Sequence, residues 1–188
     1  AYTPNHEKWH KGFAMIRIAI VDDHAIVRAG LRQFLSEQAD FRITGEACNG
    51  RETLDIVRRK DADVILLDLS MPDQSGIELL AAIKAREPDL PVLILSGFPE
   101  THYATALLRQ GAAGYLNKEC DPEEIVTAIR TVCRGRKYIT PAVGELLAEG
   151  LAGSSVSSAF TLTNWPTYLE KPRWLTDQVI LPWLESSS

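Results

Sequence analysis

The chain has 188 residues and a mass of 20.8 kDa, enough for one ordinary hydrophobic core and a small additional segment. Its contents of 45% hydrophobic and 24% charged residues exclude a disordered protein, and its net charge of -5 excludes a general attraction to nucleic acid or anionic membranes. No apolar run has the length that spans a bilayer, and residues 1–14 are too polar for a signal peptide. We therefore expect a cytoplasmic protein without a membrane partner.

The three cysteines are Cys48, Cys120 and Cys133, an odd number without the paired spacing of a zinc site. Reduced thiols in a cytosolic protein are the simplest interpretation.

Short apolar runs rich in β-branched residues alternate with longer stretches of helical period. This alternation predicts an α/β fold in which βα units build a doubly wound parallel sheet. The predicted strands are 16–21, 41–47, 64–68, 92–96 and 113–116.

Helices are predicted between these strands. Asp121 before Pro122, Asn49 before Glu52 and Ser75 before Glu78 are typical helix starts. Apolar residues at helical spacing should turn one face of the first and of the last helix toward the sheet. These residues are Ile26, Val27, Gly30, Leu31, Phe34 and Leu35 in the first, and Ile125, Val126, Ile129, Val132 and Cys133 in the last.

The two ends of the chain have a different character. Met15 is a candidate natural start, which would make 1–14 a leader or cloning remnant. A linker with a short helix at 143–151 is expected over 137–153, and serines then begin an atypical tail, 154–188. We interpret that tail as foreign sequence, with docking on the domain through its tryptophans as the alternative.

Polar residues stand where the predicted strands end. Asp22 and Asp23 follow the first strand, Asp68 ends the third, Ser96 ends the fourth, and Lys118 follows the fifth. Because the carboxyl ends of parallel strands meet at one edge of a sheet, three carboxylates, a hydroxyl and an ammonium should gather there. Oxygen ligands of this kind suit Mg²⁺, and the ammonium suits a phosphoryl group. Each residue taken singly is more often a helix cap or a solvated charge; their coincidence favours a site.

A carboxylate held beside a metal can attack phosphorus and form an acyl phosphate. We assign this role to Asp68. Lys118 would offset phosphoryl charge and the Ser96 hydroxyl would donate a hydrogen bond, while Gly97 leaves room for the incoming group.

These motifs resemble the receiver domain of two-component response regulators. The resemblance rests on Asp22-Asp23, Asp68 with Ser70-Met71-Pro72, Ser96 and Tyr115-x-x-Lys118. The segment 21–31, Val-Asp-Asp-His-Ala-Ile-Val-Arg-Ala-Gly-Leu, is similar to the NarL and FixJ relatives, whose output is a LuxR-type helix-turn-helix. The resemblance covers 15–136. It implies a flavodoxin-like (CheY-like) receiver with five strands in the order 2-1-3-4-5.

The resemblance also implies roles for individual residues. Asp68 would accept a phosphoryl group from a phosphohistidine on a sensor histidine kinase. Asp23 would bind Mg²⁺ (or Mn²⁺) directly and Asp22 largely through water, with the Ser70 backbone carbonyl and Asp68 completing the protein ligands. Tyr115 would swing inward when Ser96 moves toward the phosphoryl group and would reshape the face of the fourth helix and fifth strand. The protein would not be an enzyme beyond phosphorylating itself and slowly losing that phosphate.

No helix-turn-helix is recognisable in the tail, so DNA would be bound only through an output domain that this chain lacks, and a homodimer through the receiver is a further expectation. One alternative is a stand-alone receiver acting by protein contact. Another, a haloacid-dehalogenase-like phosphatase, needs an acid two residues after the nucleophile, where Ser70 stands. We expect His24 to open the first helix as a partly exposed polar residue and not to bind metal.

Overall fold

The structure, a computed structural model, describes residues 15–71, 75–98 and 100–152, with the backbone alone for 100–102 and 149–152. Nearly all of them fall in the first of two compact units, Ala1–Glu149, and the second is Gly150–Ser188. The predicted leader, 1–14, and the predicted tail, 154–188, lie outside the described residues.

Strands and helices alternate along the described part of the chain. Their bounds are β1 (Ile16–Val21), α1 (Ala25–Ser36), β2 (Phe41–Ala47), α2 (Gly50–Arg59), β3 (Val64–Leu67), α3 (Gly76–Arg86), β4 (Val92–Ser96), α4 (Glu100–Arg109), β5 (Gly114–Asn117), α5 (Pro122–Cys133) and α6 (Pro141–Ala152).

The five strands form one parallel sheet in the order β2-β1-β3-β4-β5, which confirms the predicted fold and strand order. Three strand bounds differ from the prediction by one residue, since β3 ends at Leu67 and β5 runs from Gly114 to Asn117. The last helix begins earlier than predicted because Thr140 caps it: its Oγ1 accepts from the Val143 backbone N–H at 3.4 Å.

Every residue of β3 and β4 is buried, as expected for strands covered by helices on both faces. The predicted apolar stripe of α5 is buried along its whole length. The prediction for the α1 stripe is wrong at Gly30, which is exposed. It is also wrong at Ile26, which is 88% exposed, whereas Leu35, nine residues later, is fully buried. Nine residues correspond to about two and a half helical turns, so the two side chains point in opposite directions.

None of the helices in the described part of the chain combines the length and the apolar character that crossing a membrane requires.

Lys84, on α3, has a half-buried ammonium that donates to the carbonyls of Pro88 at 3.0 Å and Leu90 at 2.7 Å. Burial, followed by repulsion from Lys137, lowers the pKa of Lys84 from 10.5 to about 8, although Asp89 opposes this shift. The folded protein therefore gives up this proton at a lower pH than the unfolded chain does.

We expect the native protein to gain stability relative to Lys84→Met as the pH rises from about 8 to 10.5. In this window the unfolded chain binds more protons than the folded one, so the free energy of unfolding increases with pH. Discounted for partial exposure, the gain should be about 1 kcal/mol. Urea unfolding at several pH values would measure it, and parallel curves for the two proteins would contradict it.

Candidate functional site

The carboxyl ends of β1, β3, β4 and β5 meet at one edge of the sheet, and the predicted site residues lie in or next to them. Asp22, Asp68 and Ser96 are buried there, with exposed fractions of 2%, 1% and 0%. Asp23, in the same loop as Asp22, is partly exposed. Lys118 follows β5, and its backbone N–H donates to the Ser96 carbonyl at 2.9 Å. The sheet order thus gathers residues that lie up to 96 positions apart in sequence.

Lys118 connects two of the carboxylates. Its Nζ lies 2.7 Å from Asp22 Oδ2 and 2.9 Å from Asp68 Oδ2. Burial by itself lowers the pKa of Lys118, but the two carboxylates outweigh this effect and leave that pKa above its ordinary value. The ammonium therefore stays charged at neutral pH and partly offsets the negative charge of the acidic cluster.

Asp22 is held on both sides of its carboxylate. Oδ1 accepts from the His24 backbone N–H at 2.8 Å, while Oδ2 accepts from Lys118. The Arg28 guanidinium donates to the Asp22 carbonyl at 2.6 Å, which fixes the loop against the start of α1. Arg28 lies six positions after Asp22, but the sequence analysis assigned it no role.

Asp68 is only partly satisfied. Its Oδ1 accepts from the Ser70 backbone N–H at 3.2 Å. Its Oδ2 is buried and has no partner with hydrogen-bond geometry among the described residues, although Lys118 lies at ion-pair distance. Asp23 Oδ1 is a second buried oxygen without such a partner in the described part of the chain. Orphaned buried oxygens are costly unless a cation approaches them.

A divalent cation fits this donor set. Asp22, Asp23, His24 and Asp68 each offer one ligand atom, and these four atoms all lie within 4.8 Å of one another. Carboxylate oxygens at such spacing match the hard-ligand preference of Mg²⁺ or Mn²⁺. Ser70 is exposed beside Asp68, and the use of its carbonyl as a ligand remains a prediction.

Gly76 lies so close to the backbone of Asp68 and Leu69 that only glycine fits at this position. A Cβ at Gly76 would lie 2.6 Å from the Asp68 carbonyl oxygen and 2.6 Å from Leu69 Cα. Because both neighbours are backbone atoms, neither can give way cheaply. This close approach places the start of α3 against the backbone of Asp68.

Tyr115 lies buried, with an exposed fraction of 1%. Its hydroxyl donates to the Phe98 carbonyl at 2.8 Å, in the loop that follows Ser96. The Ser96 hydroxyl accepts from the Phe98 backbone N–H at 3.3 Å. Tyr115 is thus buried and bound to the loop after β4, and its switch role remains a prediction.

Asn117 is a residue that the sequence analysis missed. Its Nδ2 donates to the same Phe98 carbonyl at 3.4 Å, while its Oδ1 accepts from the Glu119 backbone N–H at 2.8 Å. It therefore links the loop after β4 to the loop that carries Lys118. Asn117 could have been found from its position opposite Ser96 in the neighbouring strand, but this pairing is known only once the register of β4 and β5 is known.

Tyr115→Phe is expected to lower the free energy of unfolding by about 1 kcal/mol, because a buried hydroxyl loses its hydrogen bond. Urea unfolding measures the loss. Tyr138→Phe is a matched control, since its hydroxyl donates to Glu124 at 3.0 Å and its backbone bridges Gly114, the first residue of β5, at the opposite edge of the sheet. Only Tyr115→Phe should shift the backbone amide resonance of Phe98. An unchanged resonance would contradict the described contact.

His24 begins α1 as its N-cap residue, as predicted. Its Nδ1 also lies 2.9 Å from Asp23 Oδ1 and 3.3 Å from Asp22 Oδ1, which the sequence analysis did not anticipate. Its place directly after Asp22 and Asp23 was the available signal.

Comparison with known proteins gives concordant matches. The family model of the response regulator receiver domain matches residues 18–130. The response regulator GacA of Pseudomonas aeruginosa is 36% identical over 134 residues, or 71% of this chain and 63% of GacA. The transcriptional regulatory protein DegU of Brevibacillus brevis is also 36% identical over 134 residues, with 71% of this chain and 57% of DegU covered. This chain thus spans 57 to 63% of the length of these curated relatives.

Solved structures show the same likeness. A LuxR-family two-component response regulator from Aurantimonas sp. SI85-9A1 superimposes with a TM-score of 0.68 at 30% identity, covering 74% of this chain and 100% of that one. The isolated REC domain of RcsB from Salmonella enterica, determined with the phosphomimetic BeF3-, superimposes with a TM-score of 0.64 at 27% identity. The match covers 71% of this chain and 99% of that domain.

Proposed function

This chain belongs to the family of response regulator receiver domains, in its NarL and LuxR type, and from this premise we propose that Asp68 accepts a phosphoryl group from a sensor histidine kinase. One observation supports the choice of Asp68 above the others. Its Oδ2 is buried, has no hydrogen-bond partner in the described part of the chain, and faces the Lys118 ammonium at 2.9 Å. A phosphoryl group that bonds to this oxygen would meet a cation that offsets its charge.

The transfer exchanges one bond for another. An Asp68 carboxylate oxygen attacks the phosphorus of a phosphohistidine, the P–N bond breaks, and the imidazole leaves with the electron pair. The new acyl phosphate remains on Asp68. Lys118 offsets the charge on the phosphoryl oxygens, and the Ser96 hydroxyl donates to one of them after giving up its contact with the Phe98 N–H.

Asp22, Asp23, Asp68 and the Ser70 carbonyl would hold Mg²⁺ or Mn²⁺ at this edge of the sheet. The bound cation would supply charge neutralisation between the carboxylates and the incoming phosphoryl group. The protein itself orients the Asp68 carboxylate through the Ser70 N–H, which donates to Oδ1, and excludes water through burial of Asp68.

The phosphoryl group would shift the populations of two conformations of the receiver. Ser96, Phe98, Tyr115 and Asn117 form a continuous set of contacts between the site and the loop before α4. Movement of Ser96 toward the phosphoryl group would change this set and, with it, the face formed by α4 and β5. The readout is a change in protein contact and not the turnover of a substrate.

The wider role extends beyond the matched region. We assign the whole protein to transcriptional control in the cytoplasm, with a homodimer through the receiver and a separate DNA-binding domain as the output. The similarity to DegU and to GacA supports this assignment.

The test is uptake of a phosphoryl group from acetyl phosphate. With Mg²⁺ present, intact-mass measurement should show the addition of one phosphoryl group, and hydroxylamine should remove it because an acyl phosphate is labile to that nucleophile. With the cation chelated, uptake should fall to the background. A protein that gains no phosphoryl group, or gains one equally without the cation, would contradict the proposal.

A further inference from the structure

The position of His24 is not explained by its role as a helix cap. Its side chain makes no capping hydrogen bond to α1, although its backbone has the extended conformation of an N-cap residue. Its imidazole instead lies over the acidic cluster, and the side chain is 61% exposed. An exposed imidazole with no capping function is free to take another partner.

The contact between His24 and Asp23 has an unusual character. Nδ1 lies 2.9 Å from Asp23 Oδ1, yet this oxygen has no partner with hydrogen-bond geometry among the described residues. The two atoms therefore lie close together without being aimed at each other. Ligands that converge on a common centre show this arrangement.

The spacing also agrees with shared coordination. Neighbouring ligands of an octahedral ion, each at about 2.1 Å, lie about 3 Å apart. The distances from His24 Nδ1 to Asp23 Oδ1 and to Asp22 Oδ1 are 2.9 and 3.3 Å. Asp68, whose side chain has an exposed fraction of 1%, offers a carboxylate oxygen to the same group of four ligand atoms.

We propose that His24 is a direct ligand of the divalent cation at this site and that its imidazole makes the site favour first-row transition ions over Mg²⁺. This inference rests on the metal site of the proposed function. It adds a nitrogen donor, contributed by the residue that starts α1, to the oxygen donors named above.

The preference follows from ligand chemistry. Mg²⁺ is hard, binds oxygen and keeps its water, and Mn²⁺ also suits oxygen ligands, whereas imidazole suits ions such as Ni²⁺. A shell with one imidazole therefore strengthens binding of Ni²⁺ and adds little for Mg²⁺. The choice of cation is thus set by His24 and not by the three aspartates, Asp22, Asp23 and Asp68.

The test uses the full 188-residue chain with His6, His10 and His102 replaced by Gln, so that His24 is the one remaining imidazole of four. Electron spin-echo spectroscopy of bound Mn²⁺ should then show modulation from an imidazole nitrogen. Calorimetric titrations should show that His24→Asn, which supplies a good N-cap but no imidazole, lowers Ni²⁺ affinity about tenfold or more relative to Mg²⁺ affinity. Gln33→Ala, on the exposed face of α1, is the control and should leave both affinities unchanged.

Two results would overturn the inference in distinguishable ways. Mn²⁺ that is displaced by Mg²⁺ but shows no imidazole modulation, together with an unchanged affinity ratio in His24→Asn, would remove His24 from the shell and leave the proposed function intact. Absence of any divalent binding would remove the metal site itself, and the acetyl phosphate experiment would then fail as well.

Discussion

Asp68→Asn is expected to lower phosphoryl uptake from acetyl phosphate by about a hundredfold or more, because the amide cannot act as the attacking carboxylate. The side chain keeps nearly the same shape, so its packing beneath the loop of Ser70 should be preserved. Intact-mass measurement over time, with Mg²⁺ present, gives the rate for the native chain and the variant.

Asp55→Asn is the matched control. Asp55 is a partly exposed acid on α2 that pairs with Arg58 at 3.0 Å, and its loss should leave uptake unchanged. Equal labelling of Asp68→Asn and the native chain would remove Asp68 from the acceptor role. Labelling that disappears in both variants would point to a general loss of folding, which far-ultraviolet circular dichroism would reveal.

Lys118→Met is expected to lower the free energy of unfolding by about 2 to 3 kcal/mol when divalent cations are chelated. Removal of the ammonium leaves Asp22 and Asp68 buried together without a counter-charge, and breaking a buried pair from one side is costly. Millimolar Mg²⁺ should restore part of this loss, since the cation replaces the missing charge. Urea unfolding with chelator and with Mg²⁺ measures both effects.

The pH dependence of this contribution has a definite sign. The pKa of Lys118 is raised in the folded state, so its stabilisation is fully present below the unfolded value of 10.5 and is lost as the pH rises through the folded value. The difference in the free energy of unfolding between the native protein and Lys118→Met should therefore be constant around neutral pH.

Lys60→Met provides the comparison. Lys60 pairs with Glu87 at 2.8 Å but is 56% exposed, and such a pair contributes less than about 1 kcal/mol. If Lys118→Met lowers the free energy of unfolding no more than Lys60→Met does, Lys118 does not stabilise the acidic cluster.

The fold was accessible from the sequence because its local signals agree with one another. Buried parallel strands carry no alternation, so continuous apolar runs such as 64–67 and 92–95 stand out from the helical stretches between them. The Asn49 side chain accepts from the Glu52 N–H, as the sequence predicted, while the Glu52 side chain accepts from the N–H of Cys48, one residue before the N-cap. The gathering of Asp22, Asp68 and Lys118 followed from sheet topology alone.

Other features depend on side-chain directions that periodicity does not fix. Ile26 was grouped with Leu35 because both are apolar, although two and a half turns separate them. The side chains of Tyr115 and Asn117 both donate to the Phe98 carbonyl. Every residue has a backbone carbonyl, so the sequence does not reveal which one will accept. The approach of His24 to Asp23 depends on the rotamer of an exposed ring.

The hydrogen bond from the Lys118 backbone to the Ser96 carbonyl joins the end of β4, which carries the hydroxyl of the site, to the residue after β5, which carries the ammonium. A shift of the backbone at either residue would be passed to the neighbouring strand end. If the phosphoryl group proposed for Asp68 shifts this backbone, the approaches to both α4 and α5 should change together. Partners that read either helix would respond to a single event, and a mutation that uncouples the two responses should map to this short stretch of backbone.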